Sequence, residues 1–228
     1  MDGGGWGATG PVRLFPRRVP STVMTVWSTV GVSDAIFGVV DGEGHLETAD
    51  WGATGLIVPM DAGAFIGTGI HIGRVRVGVD ISTAEPSDDG IQEWDDVAEA
   101  SLWAPTGELR VHALTYGTWE EPPDLPPLSQ AGPGHYRVRV HVRGRDLHHD
   151  KVMYEPHEEY LMVAWPADPL PPLLLRATDR TGRGLRWSAL LSPGPSPAPV
   201  HEPGPPSQAE DFTQAILDGV ARAEETPR

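Results

Sequence analysis

Hydrophobic positions along this chain fall in short runs, and several of the runs alternate with polar residues at a period of two. The segments "TVMTVWSTVGV" (22–32), "AIFGVVD", "GLIVPM", "AFIGTGIHI" and "RVRVGVDI" are rich in Val, Ile, Thr and aromatics and are separated by Gly and Asp. That composition and spacing predict strands. The strictest alternation lies in "GHYRVRVHVRGRDLHHD" (134–150), where Tyr136, Val138, Val140 and Val142 share one face and Arg137, Arg139, His141 and Arg143 share the other. A strand with an apolar inner face and a basic outer face follows. "EEYLMVAWPAD" (158–168) is its expected antiparallel neighbour across the 144–157 loop, with Glu158 and Glu159 near those arginines.

Other segments are less regular. "IQEWDDVAEASLWA" (91–104) fits helical spacing in part, but the strand reading is favoured from Val97 onward. "ELRVHALTY" alternates cleanly, and "EEPPDLPPL" must be an extended loop because consecutive prolines disfavour both helix and central strand. "LLLRATDR" and "LRWSALL" close the series, joined by "TGRG", which reads as a hairpin turn. The glycines of "GTGIHIG" read as a close strand pairing or bulge. The pentapeptide "WGATG" occurs at 6–10 and 51–55, but its flanks do not match and it makes no repeat architecture.

The outcome is an all-β expectation: an antiparallel β-sandwich of about ten short strands, followed by a proline-rich linker and a C-terminal helix. Residues 1–22 read as a flexible leader, with Met24 an alternative start, and residues 23–191 as the sandwich domain. The segment 192–206, within "SPGPSPAPVHEPGPPS", reads as the linker. Residues 207–228 hold an amphipathic helix, in which Ser207 and Glu210 form a capping box and Phe212, Ile216, Leu217 and Val220 an apolar face.

Composition narrows the chemistry. The chain has 228 residues, 39% of them apolar, eight tryptophans and no cysteine. A packed core is affordable, and disulfides, thiolate metal sites and cysteine nucleophiles are excluded. No apolar run reaches the roughly 18 residues of a membrane span and no secretion signal is visible, so the expected compartment is the cytoplasm. Lys151 is the only lysine beside sixteen arginines, a bias that reads as high-GC codon usage. The formal net charge is -15, and from Asp80 to Asp124 twelve acidic residues face Arg110 alone. Such a segment repels nucleic acid and membrane surfaces and attracts a basic partner or a hard cation.

Candidate motifs are weak one by one. Gly5, Gly7 and Gly10 match the dinucleotide fingerprint, but no strand precedes them and Pro11 follows. Asp88, Asp89, Asp95 and Asp96 offer hard oxygen donors without the spacing of a calcium loop. No Gly-x-Ser-x-Gly elbow is present. The arginines of 137–145 have no aromatic platforms interleaved with them in sequence, which argues against nucleic-acid binding. His141, His148, His149, Asp150 and His157 supply enough ligands for a metal-dependent hydrolase, the alternative function, although their spacing matches no established site.

In "FGVVDGEG", "GIHI", "GPGHYRVRV" and "EEYLMVAWPA", taken in order, the chain resembles the small β-sandwich proteins of the competence protein J family. The likeness lies in an early Asp-Gly turn, a Pro-Gly-x-Tyr lead-in to an alternating strand, and a late strand with tyrosine near its start. The resemblance implies a non-catalytic inhibitor of a DNA-degrading nuclease. The proline-rich segment, the tail helix and the longer acidic middle depart from that pattern, and no inhibitory residue carries over. The expectation is therefore a binding protein without cofactor or metal, an inhibitor or immunity-type protein for a basic partner such as a nuclease. Asp88, Asp89, Trp94, Asp95, Asp96 and Trp119 are the candidate partner-binding residues, carboxylates to speed encounter and tryptophans to hold contact.

Overall fold

The computed structural model describes residues 25–42, 49–115, 118–119 and 122–191. The chain divides into two units, Met1–Leu190 and Leu191–Arg228, and of the second only Leu191 is among the described residues. The expected leader, linker and tail helix, at 1–22, 192–206 and 207–228, lie outside them.

Thirteen strands occur among the described residues, ten of them three residues or longer. They are β1 (Val26–Val32), β2 (Ile36–Val40), β3 (Ile57–Met60), β4 (Gly63–Gly67), β5 (Ile72–Ile81), β6 (Asp96–Ala104) and β7 (Arg110–His112). There follow β8 (Leu114–Thr115), β9 (Thr118–Trp119), β10 (Gly134–Arg143), β11 (Val152–Met153), β12 (Glu159–Pro166) and β13 (Leu173–Ala177). One sheet has seven strands in the order β1-β5-β12-β10-β6-β13, with β11 added to β5; a second has the order β3-β4-β2-β7; β8 and β9 form a ribbon. A continuous apolar core is built from both larger sheets, with Val30, Val77, Ala100, Val138, Val140 and Met162 from the first and Phe37, Val39, Ile57, Ile66 and Val111 from the second. Burial of each large apolar side chain of this kind stabilises by roughly 1.5–3 kcal/mol.

Alternation in β10 is realised as the pattern implies: Tyr136, Val138, Val140 and Val142 all enter the core. β12 is its antiparallel neighbour, with Val140 opposite Met162 and Arg143 opposite Glu159. β6 starts at Asp96, preceded by a single 3₁₀ turn at Ile91–Glu93, so the strand reading of 97–104 holds. The glycines of 67–73 mark close approaches: a Cβ on Gly69 would lie 1.9 Å from the Arg145 carbonyl oxygen. No described helix is long and apolar enough to cross a membrane.

Two expectations are corrected. The large sheet is mixed and not antiparallel, because β12 and β11 both run parallel to β5. The "TGRG" hairpin does not form either. Arg180–Leu191 is a helix, α1, with Asp179 accepting the Gly182 N–H at 2.6 Å and Asp146 accepting the N–H groups of Arg180 and Thr181. These two carboxylates satisfy the donors that a helix N-terminus leaves open. The glycine that resembled turn chemistry serves packing instead: a Cβ on Gly182 would fall 2.6 Å from both Arg145 Nη2 and Asp96 Oδ2.

Candidate functional site: the outer face of the large sheet

Side chains on β10 opposite the core meet a crowded surface and not open solvent. Arg137, Arg139 and His141 are buried, 3%, 1% and 8% exposed, which corrects the expected basic outer face at these three positions. Two segments that the alternation could not reveal cross them. Glu99 of β6 accepts from Arg137 Nε at 3.0 Å and from Arg139 Nε at 2.6 Å, one carboxylate between two guanidinium groups. Arg137 Nη1 also donates to the carbonyls of Leu170 and Pro171. Arg139 donates to the Ser87 carbonyl at 3.1 Å, and its guanidinium is ion-paired with Asp88 at 3.1 Å and Glu85 at 3.7 Å. A buried cation thus pins the 82–95 loop to the sheet, while the Glu85 and Asp88 side chains stay 71% and 74% exposed.

Candidate residues of this loop take different places. Asp88 is exposed and tied to Arg139. Asp89 is exposed, as is Glu93, and neither side chain bonds another described residue. Trp94 is half-buried against His141, ring centroids 5.5 Å apart, and Arg143 lies over it at 4.9 Å. Asp95 is structural: its N–H donates to the Val142 carbonyl and its carboxylate accepts the Gly144 N–H at 2.8 Å. Asp96 is a correction, because it faces inward with no exposure and cannot meet a partner. It is held by Arg145 at 3.1 Å and by the N–H groups of Thr178 and Asp179. Trp119 is placed in β9.

Sequence reasoning missed the residues that complete this surface. Trp27 of β1 carries the Arg76 guanidinium 4.4 Å above its ring. Arg76 is ion-paired with Glu159 at 3.6 Å, and Glu159 accepts from Arg143 at 3.2 Å. The strand registers place Arg76 opposite Glu159 and Glu159 opposite Arg143, so three neighbouring strands supply one row. A signal existed in "RVRVGVDI", whose alternation matches that of β10. Glu158, expected beside the arginines, is instead buried, accepting the N–H groups of Gly69 and Ile70 and the Tyr160 hydroxyl.

Electrostatics on this face follow from burial. Desolvation pushes the His141 imidazole down to about 4, and the Arg139 charge adds to the fall; the Leu161 carbonyl beside Nδ1 and Glu99 oppose it. Asp80 is raised by burial, against the pull of the Ile81 backbone bond.

The histidines proposed for a metal do not converge. His148 and His157 pair, ring centroids 4.7 Å apart, His149 contacts the Thr181 hydroxyl at 3.2 Å, and Asp150 faces His71 at 3.8 Å. Among the described residues no three metal-ligating side chains cluster. A cleft of about 460 Å³ beside α1 is lined by Asp146, His149, Arg180, Thr181, Leu185 and Ser188. Its Thr181 hydroxyl already meets both Asp146 and His149.

No family model and no curated protein matches the chain. Its structure is similar to that of ComJ from Bacillus subtilis, an inhibitor of the DNA-degrading activity of NucA, at 11% identity and a TM-score of 0.42 over 64% of this chain and 100% of that one. It is also similar to the protein of crocagin biosynthetic gene J, at 13% identity and a TM-score of 0.38 over 64% and 99%.

Proposed function

We propose that this is a non-catalytic binding protein that presents the 82–95 loop to a basic protein partner, acting as an inhibitor or immunity-type protein. One observation carries the reading: Arg139, 1% exposed and paired with Glu99, also fixes Ser87, Asp88 and Glu85 in place. A solvated acidic loop needs no such anchor. Fixing it in advance lowers the ordering cost of binding, and carboxylates of one sign speed encounter with a positive surface. Asp89 and Glu93 are the free charges of this loop, and Trp94 sits at its end as the large side chain that a contact would bury. A nuclease is the partner of choice because a cleft that holds a phosphate backbone must be positive.

The test is capture from a lysate of the native host on columns bearing the wild-type protein or Asp89→Asn/Glu93→Gln, washed at low and then high salt. The reading expects a basic protein, a nuclease in its finer form, bound by the wild type, released by salt and absent from the variant column. Equal capture on both columns, or a salt-insensitive mixture, would refute it.

A further inference from the structure

Across the same outer face runs a second feature of opposite sign. Trp27, Arg76, Glu159, Arg143 and Trp94 form an unbroken row in which each guanidinium lies on a tryptophan ring on one side and meets the shared carboxylate on the other. The two arginine side chains stay 52% and 47% exposed, so part of each donor fork faces solvent. Arg74, two residues before Arg76 on the same side of β5, is exposed and has no ion-pair partner among the described residues. In a chain of net charge -15, this row with Arg74 is locally positive, three arginines against Glu159.

We infer that this row is a docking surface for a carboxylate-bearing segment of a protein partner, with Glu159 standing where the partner's carboxylate binds. Trp94 is common to this row and to the acidic-loop reading, whereas Trp27 and the two arginine forks belong to the row alone, and the probe below tests them separately. Three arguments support it. Arginine forks match carboxylates in pairs of parallel hydrogen bonds, and stacking fixes the plane of each fork before anything binds. Tryptophan and arginine are the residues that dominate binding energy at protein interfaces. Trp27 lies on the strand backbone only because position 78 has no side chain: a Cβ there would stand 2.8 Å from its ring atoms.

The span also fits. Three strand spacings, about 14 Å, separate β1 from β10, the length of roughly four extended residues. A nucleic-acid strand fits less well, because the group that already sits between the two forks is a carboxylate, that of Glu159.

The probe is a capped hexaglutamate peptide, titrated at low salt into the full-length protein while the indole N–H signals of Trp27 and Trp94 are followed by NMR. Signals are assigned with Trp27→Phe and Trp94→Phe. The inference expects saturable shifts of both indoles, at least tenfold weaker binding in Arg76→Gln/Arg143→Gln, and tighter binding in Glu159→Gln, because the internal competitor for both forks is gone. A purely structural row would not gain affinity on losing its central carboxylate. Unchanged thermal unfolding and unmoved signals from the other tryptophans check that the variants fold. Indoles unmoved by the peptide, equal binding by the double variant, or weaker binding by Glu159→Gln would each overturn the inference. So would an oligothymidylate that shifts the indoles at lower concentration than the peptide, since it would mark the row as a nucleic-acid platform.

Discussion

Arg145 and Asp96 meet at 3.1 Å with no solvent exposure on either side chain. Burial opposes the charge on Arg145, but Asp179, Tyr160 and Asp96 outweigh it and raise its pKa, so the guanidinium is a permanent cation in the interior. Asp179 at 2.6 Å, the carbonyl of Gly55 and the Gly182 approach complete the site. The pair therefore joins β6, the loop after β10 and the start of α1.

Removing one partner of such a pair strands the other. Asp96→Ala should lower stability by about 3–5 kcal/mol in urea unfolding at neutral pH. Asp89→Asn, on the surface, should change it by no more than about 0.5 kcal/mol. A loss under about 1 kcal/mol for Asp96→Ala would show that Asp179 alone suffices for Arg145.

Stability should also fall in mild acid through His141. Its folded pKa of about 4 lies below the unfolded value of 6.5, so the unfolded chain takes up the proton first. The contribution is complete above pH 6.5 and is lost as pH falls toward 4, to the extent of roughly 3 kcal/mol. Urea unfolding between these limits should show a slope near one proton that His141→Gln lacks. Parallel pH profiles for the two proteins would contradict this.

The anchor of the acidic loop is separable from its charge. Arg139→Met keeps the stem but releases Ser87, Asp88 and Glu85, so cleavage by a glutamate-specific protease after Glu93 should accelerate by about tenfold or more through local opening. Unaltered cleavage would mean that the loop is held by other contacts.

Gly78 controls the seat of Trp27. Gly78→Ala should lift the indole from β5 and break its stacking with Arg76, seen as a shift of the Trp27 indole signal and weaker binding of the hexaglutamate probe. An unmoved Trp27 signal would show that the backbone yields instead.

The sequence made legible whatever depends on local alternation. β10 and β12 follow from their period of two and the loop between them, and the start of β6 from the apolar positions after Asp96. The parallel pairing of β5 with β12 joins segments about eighty residues apart, and no local pattern encodes it. The helix at 180–191 was hidden because Gly182 resembles turn chemistry, while its purpose is a close approach to Arg145 and Asp96. Of the candidate residues, Asp88 and Asp89 are exposed and Trp94 is half-buried, but Asp96, the first residue of β6, lies on the core-facing side of that strand. Trp27, Arg76, Glu159 and Arg143 sit on four strands, and only the register of the sheet makes them a row.

The central claim is that the outer face of the large sheet binds a protein partner. Hydrogen–deuterium exchange of the full chain, with and without the salt-released protein captured on the wild-type column, tests it most directly. The account predicts protection concentrated in residues 82–95, with further slowing at the Arg143 end of β10 and the Glu159 end of β12. Protection confined to β2, β3, β4 and β7, or to α1, would contradict it.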